Sequence, residues 1–314
     1  MRILVLGSAA GGGFPQWNCN CGNCRRARAG DPAARPRTQS SLAVSADGGN
    51  WLLLNASPDL RQQILANRAL QPRAGGRDSP IARDSPIAGV ALTNADVDHV
   101  AGLLTLREGQ KFALYATARV HAALRRNPIF DVLAPGIVAR HELALDAPKH
   151  LGDGNGNPLA LTLTAFAVPG KVALYLEDAA AGPGLGTQTG DTIGLEIAAA
   201  DGRRVLYIPG CAELSAALVA RLEGAALVLF DGTLWRDDEL IAAGLGSKTG
   251  RRMGHISIAG ADGTLAAFAG LDVGRRIFVH MNNSNPVLLD DSPERLEVER
   301  AGWEVAYDGM EIRL

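Results

Sequence analysis

Thr93-Asn94-Ala95-Asp96-Val97-Asp98-His99 follows the apolar run Gly89-Val90-Ala91-Leu92 and precedes Val100-Ala101-Gly102-Leu103-Leu104. A short buried strand here breaks into a loop that carries two carboxylates and an imidazole, and the chain then enters an apolar helix start. Polar groups held at a strand end over a rigid sheet are where chemistry commonly sits. Asp and His at alternating and adjacent positions also offer the oxygen and nitrogen donors that divalent metals accept. On its residues alone, 93–99 is a metal-site candidate.

Reading outward, short apolar or alternating runs bounded by Gly, Pro, Asp or Asn predict strands over 2–6, 42–45, 51–55, 89–92, 112–116 and 161–168. Further strands are predicted over 172–176, 192–197, 204–208, 227–230, 276–279 and 304–306. Helices are predicted over 58–66, 118–125, 212–221, 260–269 and 292–301, the last capped by Ser292 with Pro293 in its first turn. Groups of strands with helices between them predict an α+β arrangement of packed sheets covered by helices. No linker divides the chain, so one domain over 1–314 is expected. Two loops stand out: 71–88, with the tandem hexapeptide Arg-Asp-Ser-Pro-Ile-Ala at 77–82 and 83–88, and the Gly- and Thr-rich 182–190, a candidate lid.

With 314 residues, 47% hydrophobic and 20% charged, the chain can bury a large core. A net charge of −2 gives no field that argues for nucleic acid or an anionic membrane as partner. No apolar run approaches the ~18 residues that span a bilayer. Met1-Arg2-Ile3-Leu4-Val5-Leu6-Gly7 reads as a first strand and not a signal peptide, so a cytoplasmic location is expected.

Three of the four cysteines lie in Asn18-Cys19-Asn20-Cys21-Gly22-Asn23-Cys24. Such crowding suits a metal better than disulfides. Cys19, Cys21 and Cys24 can turn around one structural, tetrahedral Zn2+, with a fourth ligand from a distant His, Asp or Asn or from water. Arg25, Arg26 and Arg28 follow and are expected to favour the thiolates. Cys211 reads as a small core residue. Gly7, Gly11, Gly12 and Gly13 fit neither a dinucleotide nor a Walker spacing and read as a loop whose backbone passes close to other elements.

Of six histidines, His121, His141 and His150 stand in polar contexts and are expected to be solvated. His280 ends the strand at 276–279 and opens the polar loop His280-Met281-Asn282-Asn283-Ser284-Asn285-Pro286, and His255 lies in Met253-Gly254-His255-Ile256 before a helix. Two strand-end histidines, His99 and His280, with Asp96 and Asp98 to join them, favour a site. Asp231 ends the strand at 227–230 and is a candidate acceptor for a ligand imidazole. Asp59 suits the first turn of its helix.

Together these motifs resemble the metallo-β-lactamase superfamily, whose signature is H-x-H-x-D-H at a strand end, with later His, Asp and His ligands. Here it reads Asn94-x-Asp96-x-Asp98-His99, so the first two histidines are replaced. The C-x-C-x-x-C knot after a glycine-rich loop is similar to the branch that includes a cyclic phosphodiesterase of phosphonate metabolism, where the knot binds a structural zinc. Over nearly the whole chain, Gly11-Gly12-Gly13-Phe14-Pro15-Gln16-Trp17-Asn18-Cys19, Arg37-Thr38-Gln39-Ser40-Ser41, Asp84-Ser85-Pro86-Ile87, the 93–99 stretch, Met253-Gly254-His255 and His280-Met281-Asn282-Asn283 resemble the family of coenzyme PQQ (pyrroloquinoline quinone) synthesis B proteins. The fold implied is an αββα sandwich with the metal site at the edge of its two sheets.

The departures from the hydrolase pattern carry the functional expectation. Pro169-Gly170-Lys171 stands where hydrolases keep a His, and Ile208-Pro209-Gly210-Cys211 where they carry a bridging Asp. Asp98, His99 and His280 remain, the two-histidine, one-carboxylate set typical of non-haem Fe(II) oxygenases, which argues against a two-metal hydrolase. The resemblance implies an Fe2+- and O2-dependent hydroxylase acting on the tyrosine ring of a Glu-Tyr-derived precursor during PQQ assembly. On that reading Asp98, His99 and His280 hold the iron and Asp96 adds to or supports the set. His255 donates or accepts a proton near the phenol. Asn282, Asn283 and Ser284 hydrogen-bond substrate carboxylates, or Asn283 turns back to the cysteine zinc, since a His occupies its place in the phosphodiesterase branch. The rival reading is a carrier that binds PQQ or its precursor without turnover and assists its transport. A homodimer is compatible with both.

Overall fold

The structure, a computed structural model, describes residues 1–73, 83–182, 184–198 and 201–314. The hexapeptide copy at 77–82 lies outside the described residues. The strands are β1 (Arg2–Gly7), β2 (Ser41–Ser45), β3 (Trp51–Leu54), β4 (Ile87–Ala91), β5 (Phe112–Ala116), β6 (Val138–Glu142), β7 (Pro148–Gly152), β8 (Pro158–Ala167), β9 (Ile193–Ala198), β10 (Arg204–Ile208), β11 (Ala225–Asp231), β12 (Val273–Val279), β13 (Glu304–Val305) and β14 (Glu311–Arg313). They form two sheets, β14-β1-β2-β3-β4-β5-β6 and β13-β12-β11-β10-β9-β8-β7.

The period-2 alternation of apolar residues builds the layers. In β1, Ile3 and Val5 face one side and Leu4 and Leu6 the other; in β11, Leu227 and Leu229 oppose Val228 and Phe230. Ile3, Val5, Ile193, Val205, Leu229 and their neighbours from both sheets meet in one core between them. Leu4, Leu6 and Leu53 pack outward against Leu60, Val120 and Leu124 of the helices Leu60–Ala66 and Ala118–Arg125. Val228, Phe230 and Phe278 pack outward against Leu218 and Val298 of the helices Ala216–Leu222 and Pro293–Arg300. Two sheets, one core between them and one apolar layer outside each give an αββα sandwich.

Each sheet is antiparallel on one side and parallel on the other, the parallel runs being β3-β4-β5-β6 and β10-β11-β12-β13. Ligand sites in such sheets form beyond the carboxyl ends of parallel strands, where loops converge. The stretch 93–99 leaves β4, 209–211 leaves β10, 231–233 leaves β11 and 280–285 leaves β12.

Several expected elements shift. The strand expected at 172–176 is instead a short 3-10 turn at Leu174–Leu176, and the Val172 N–H donates to Thr187 Oγ1 at 3.0 Å and not to a ladder. The helix expected at 212–221 begins only at Ala216, where the Ser215 hydroxyl accepts from the Leu218 N–H. The one at 260–269 shrinks to Thr264–Ala267, because Gly260 and Gly263 hold a turn before it. Three strands escape sequence reading, β6, β7 and β14, and all lie at sheet edges, where half-exposed residues dilute the alternation.

Candidate metal centre

Asp98 and His99 open a short helix at Val97–Val100 directly after β4, and His280 ends β12. The fold brings them together: Asp98 Oδ2 lies 3.2 Å from His280 Nε2 and 4.0 Å from His99 Nε2. His280 adopts φ +59, a left-handed conformation uncommon for a side-chain-bearing residue. The backbone around it enforces that turn: the Met281 N–H donates to the Ser8 carbonyl, the Ala10 N–H to the Met281 carbonyl, and the Asn282 N–H to the Thr233 carbonyl.

Each imidazole is oriented by its other nitrogen. His99 Nδ1–H donates to Asn94 Oδ1 at 2.7 Å, and the Asn94 amide nitrogen donates to Asp96 Oδ2 at 3.1 Å. Asn94, standing where hydrolases have a ligand His, thus directs the His that remains. Asn55 buttresses the same loop, accepting from the Thr93 N–H at 2.9 Å. His280 Nδ1–H donates to Thr233 Oγ1 at 2.9 Å, and the Thr233 hydroxyl donates to Asp231 Oδ1 at 2.6 Å. His255 Nδ1–H donates to Asp231 Oδ2 at 2.7 Å, and its ring stacks on His280 with centroids 5.3 Å apart. Fully buried Asp231 also accepts from the Cys211 and Thr233 N–H groups, so one carboxylate fixes two imidazoles.

Burial and neighbouring charges set the protonation of each donor. Burial pushes His99 down to about 4, which keeps its ring neutral, the form that ligates. Burial works against the charge of Asp98, yet His99 and the contact with His280 prevail and hold it below the usual carboxylate range. Burial likewise opposes the charge of His280, yet Asp98, with Asp231 and Asp96 nearby, raises it above the usual imidazole value. His99 Nε2 is buried with no hydrogen-bond partner, an orphaned lone pair that a metal would satisfy. Asp98, His99 and His280 therefore fit a divalent ion.

Other expected residues are placed differently. Asp96 does not join the cluster; its carboxylate faces Lys171 Nζ at 3.9 Å and the Leu174 N–H at 3.3 Å, and burial raises its pKa. Asn282 lines the cavity, a space of about 350 Å³ shared with Asp96, Asp98, His99, His255 and His280. Asn283 and Ser284 do not line it. Ser284 is bonded to Glu239 and accepts from Asn282 Nδ2 at 2.5 Å. Thr233 and Lys248 are lining residues that sequence reasoning passed over, with only a polar residue after a strand end to signal Thr233; Asn94 and Lys171 entered it only as departures from the hydrolase pattern.

The Asn283 amide turns to the cysteines, 3.1 Å from Cys19 Sγ, 3.8 Å from Cys21 Sγ and 3.4 Å from Cys24 Sγ. The three sulfurs fit three positions of a tetrahedral structural Zn2+, and the Asn283 amide donates hydrogen bonds to them. Burial drives the Cys24 thiol up to about 11. Burial also opposes ionisation of Cys19, but hydrogen bonds from Cys21 and Asn283 outweigh it and lower that thiol. The arginines do not do this, contrary to expectation: Arg25 and Arg28 bond the Asn20 and Cys19 carbonyls, and Arg26 pairs with Asp31 and Asp291. Asn23 Nδ2 donates to the carbonyls of Asn283, Ser284 and Asn285 at 3.2, 2.9 and 3.1 Å, tying the knot to the loop that begins at His280.

His121 is buried, not solvated, and bonds the His141 carbonyl at 3.0 Å; His141 stacks on Tyr115 and only His150 is exposed. Asp59 caps no helix and instead accepts from the Gln39 N–H and side chain. Gly11 passes so close that an added Cβ would lie 3.3 Å from Asp98 Oδ2.

A family model for the β-lactamase superfamily domain matches residues 50–281. A coenzyme PQQ synthesis protein B of Gluconacetobacter diazotrophicus is 57% identical over 311 residues, 99% of this chain and 98% of the relative. The chain belongs to the coenzyme PQQ synthesis protein B family. The Methylorubrum extorquens member is 54% identical with 100% of both chains covered. A solved Zn2+-bound PqqB from Methylobacterium extorquens matches with a TM-score of 0.91 at 53% identity, covering 100% of both chains. A diphosphatase of the PhnP family, 19% identical with a TM-score of 0.68 and 99% and 97% coverage, shares the fold. Among the described residues, no helix is long and apolar enough to cross a membrane.

Proposed function

We propose that the chain is an Fe2+-dependent oxygenase of PQQ synthesis that hydroxylates the tyrosine ring of a Glu-Tyr-derived precursor in the cytoplasm. One observation carries the reading: a cavity whose donor set is one carboxylate and two imidazoles, with His99 Nε2 left without a partner. The names of the relatives support the pathway, and the Zn2+-bound PqqB supports a member that holds a divalent metal. Bound iron would supply the activation of O2. Overall, one oxygen atom replaces hydrogen on the ring and the other leaves as water, with two electrons and two protons from an external reductant.

The chain's own residues supply the rest. Asp98, His99 and His280 would hold the ion, and Asn94 and Thr233, by engaging Nδ1 of His99 and His280, leave the Nε2 atoms of both rings to the ligand set. His255, its Nδ1–H committed to Asp231, keeps Nε2 to take or return the phenol proton. Cys19, Cys21 and Cys24 would hold a structural Zn2+ that secures the glycine-rich loop, with the Asn283 amide donating to their sulfurs. The test is anaerobic Fe(II) reconstitution, then O2 with a reductant and a Glu-Tyr peptide, followed by mass analysis. The expected product has gained one oxygen atom or more, and stoichiometric iron is required for it. An unchanged peptide over an iron-loaded protein would leave the carrier role in place of this one. Alanine at Asp98 or His280 with metal content and turnover unaltered would sink the ligand assignment.

A further inference from the structure

Two lysines line the same cavity as the ligand cluster, and the chemistry above gives them no task. Lys171 is firmly placed. Its carbonyl accepts from Thr192 Oγ1 at 2.8 Å, and its stem packs over Gly254, where an added Cβ would lie 3.3 Å from Lys171 Cγ. Gly254 has φ +91 and immediately precedes His255, so the turn that presents the imidazole also seats the lysine. The Lys171 ammonium lies 3.6 Å from Glu177 and 3.9 Å from Asp96, while Arg252 holds Glu177 at 3.1 Å. Lys248 is half-buried and makes no ion pair within 4.0 Å among the described residues. Three cations thus face two carboxylates at this wall.

An ammonium is a strongly hydrated point charge, and one at a cavity wall with no ion-pair partner is available to an anionic ligand. The lining contains no arginine, the residue whose planar fork matches phosphate in two bonds. Leu174, Leu240 and Met253 complete an apolar wall that suits an aryl or aliphatic body. At about 350 Å³ the cavity is near the small end of ligand sites, ~300–1,000 Å³.

We propose that Lys171 and Lys248 form a carboxylate-binding subsite of this cavity, selecting an aromatic amino-acid derivative that carries at least two carboxylates. The inference rests on the Glu-Tyr-type substrate assigned above, and it is tested by binding alone. Calorimetry of the Zn2+-loaded chain without O2 compares a Glu-Tyr dipeptide with the same dipeptide amidated at both carboxyls. Lys248→Gln and Lys171→Gln should each weaken the diacid about tenfold, the scale of one charged hydrogen bond. Both should leave the diamide unchanged, which also shows that the variants fold, and Lys248→Arg should restore most of the loss. The same diacid-to-diamide ratio in wild type and both variants would overturn the subsite, as would no binding of the diacid to wild type. Displacement of the dipeptide by inorganic phosphate at lower concentration than by glutarate would also overturn it, as a phosphate site. Because no turnover is read, absence of hydroxylation would sink the oxygenase and leave charge-selective binding standing.

Discussion

At the scale of single residues, Thr233 does the most with one hydroxyl. It accepts from His280 Nδ1 and donates to Asp231, the carboxylate that also holds His255. Thr233→Val keeps the shape but leaves His280 Nδ1–H unpaired, so active-site metal affinity should fall roughly 10–100-fold, with Thr233→Ser recovering it. Competitive metal titration measures this, and unchanged affinity in the valine variant would refute the orienting role. Glu239 is a second case. Burial pushes its carboxyl up to about 7, against hydrogen bonds from Ser284 and Trp235. Unfolded glutamate titrates near ~4.3, so between there and 7 the folded chain holds a proton that the unfolded chain has lost. That contribution is full below the window and disappears as pH rises through 7. Glu239→Gln should therefore gain stability relative to wild type from about pH 4 to pH 7 in urea unfolding, with little further change above. A difference independent of pH would contradict this.

At the scale of elements, the Cys19–Cys24 turn, the helix Gly22–Arg28 and the 280–285 loop form one unit. Asn23→Ala strips one hydrogen-bond donor from three carbonyls and should cost about 1–3 kcal/mol in denaturant unfolding. A value near zero would mean that the knot does not brace the loop. Interior strands such as β5 and β10 are legible end to end because both faces are buried and their residues run apolar, unbroken in β5 and after Arg204 in β10. Edge strands β6, β7 and β14 were not, since their exposed residues carry no sequence signal that separates them from loops. The 3-10 turn at Leu174–Leu176 reads as a strand in sequence because its residues are apolar, yet Leu174 and Tyr175 are exposed and Leu174 lines the cavity and not a sheet face.

At the scale of the whole molecule, two metal stations are expected to titrate separately. Exhaustive chelation should lower the melting temperature, and back-titration with Zn2+ should restore it with two equivalents. Cys24→Ser should keep only the equivalent held by Asp98, His99 and His280; loss of both would show that the stations are not independent. The sequence by itself determined the strand-rich layering, through apolar alternation, and the cysteine knot, whose ligands lie within six residues. It also singled out Asp98, His99 and His280 by chemistry and by resemblance, since donor atoms and strand ends are local properties. Only the tertiary structure decided that Asp98 meets His280 across 182 residues, that Asp96 turns to Lys171, and that Asn283 turns to sulfur. Those choices depend on which strand ends converge and which way each loop leaves them, and long-range packing, not the local pattern, sets that geometry.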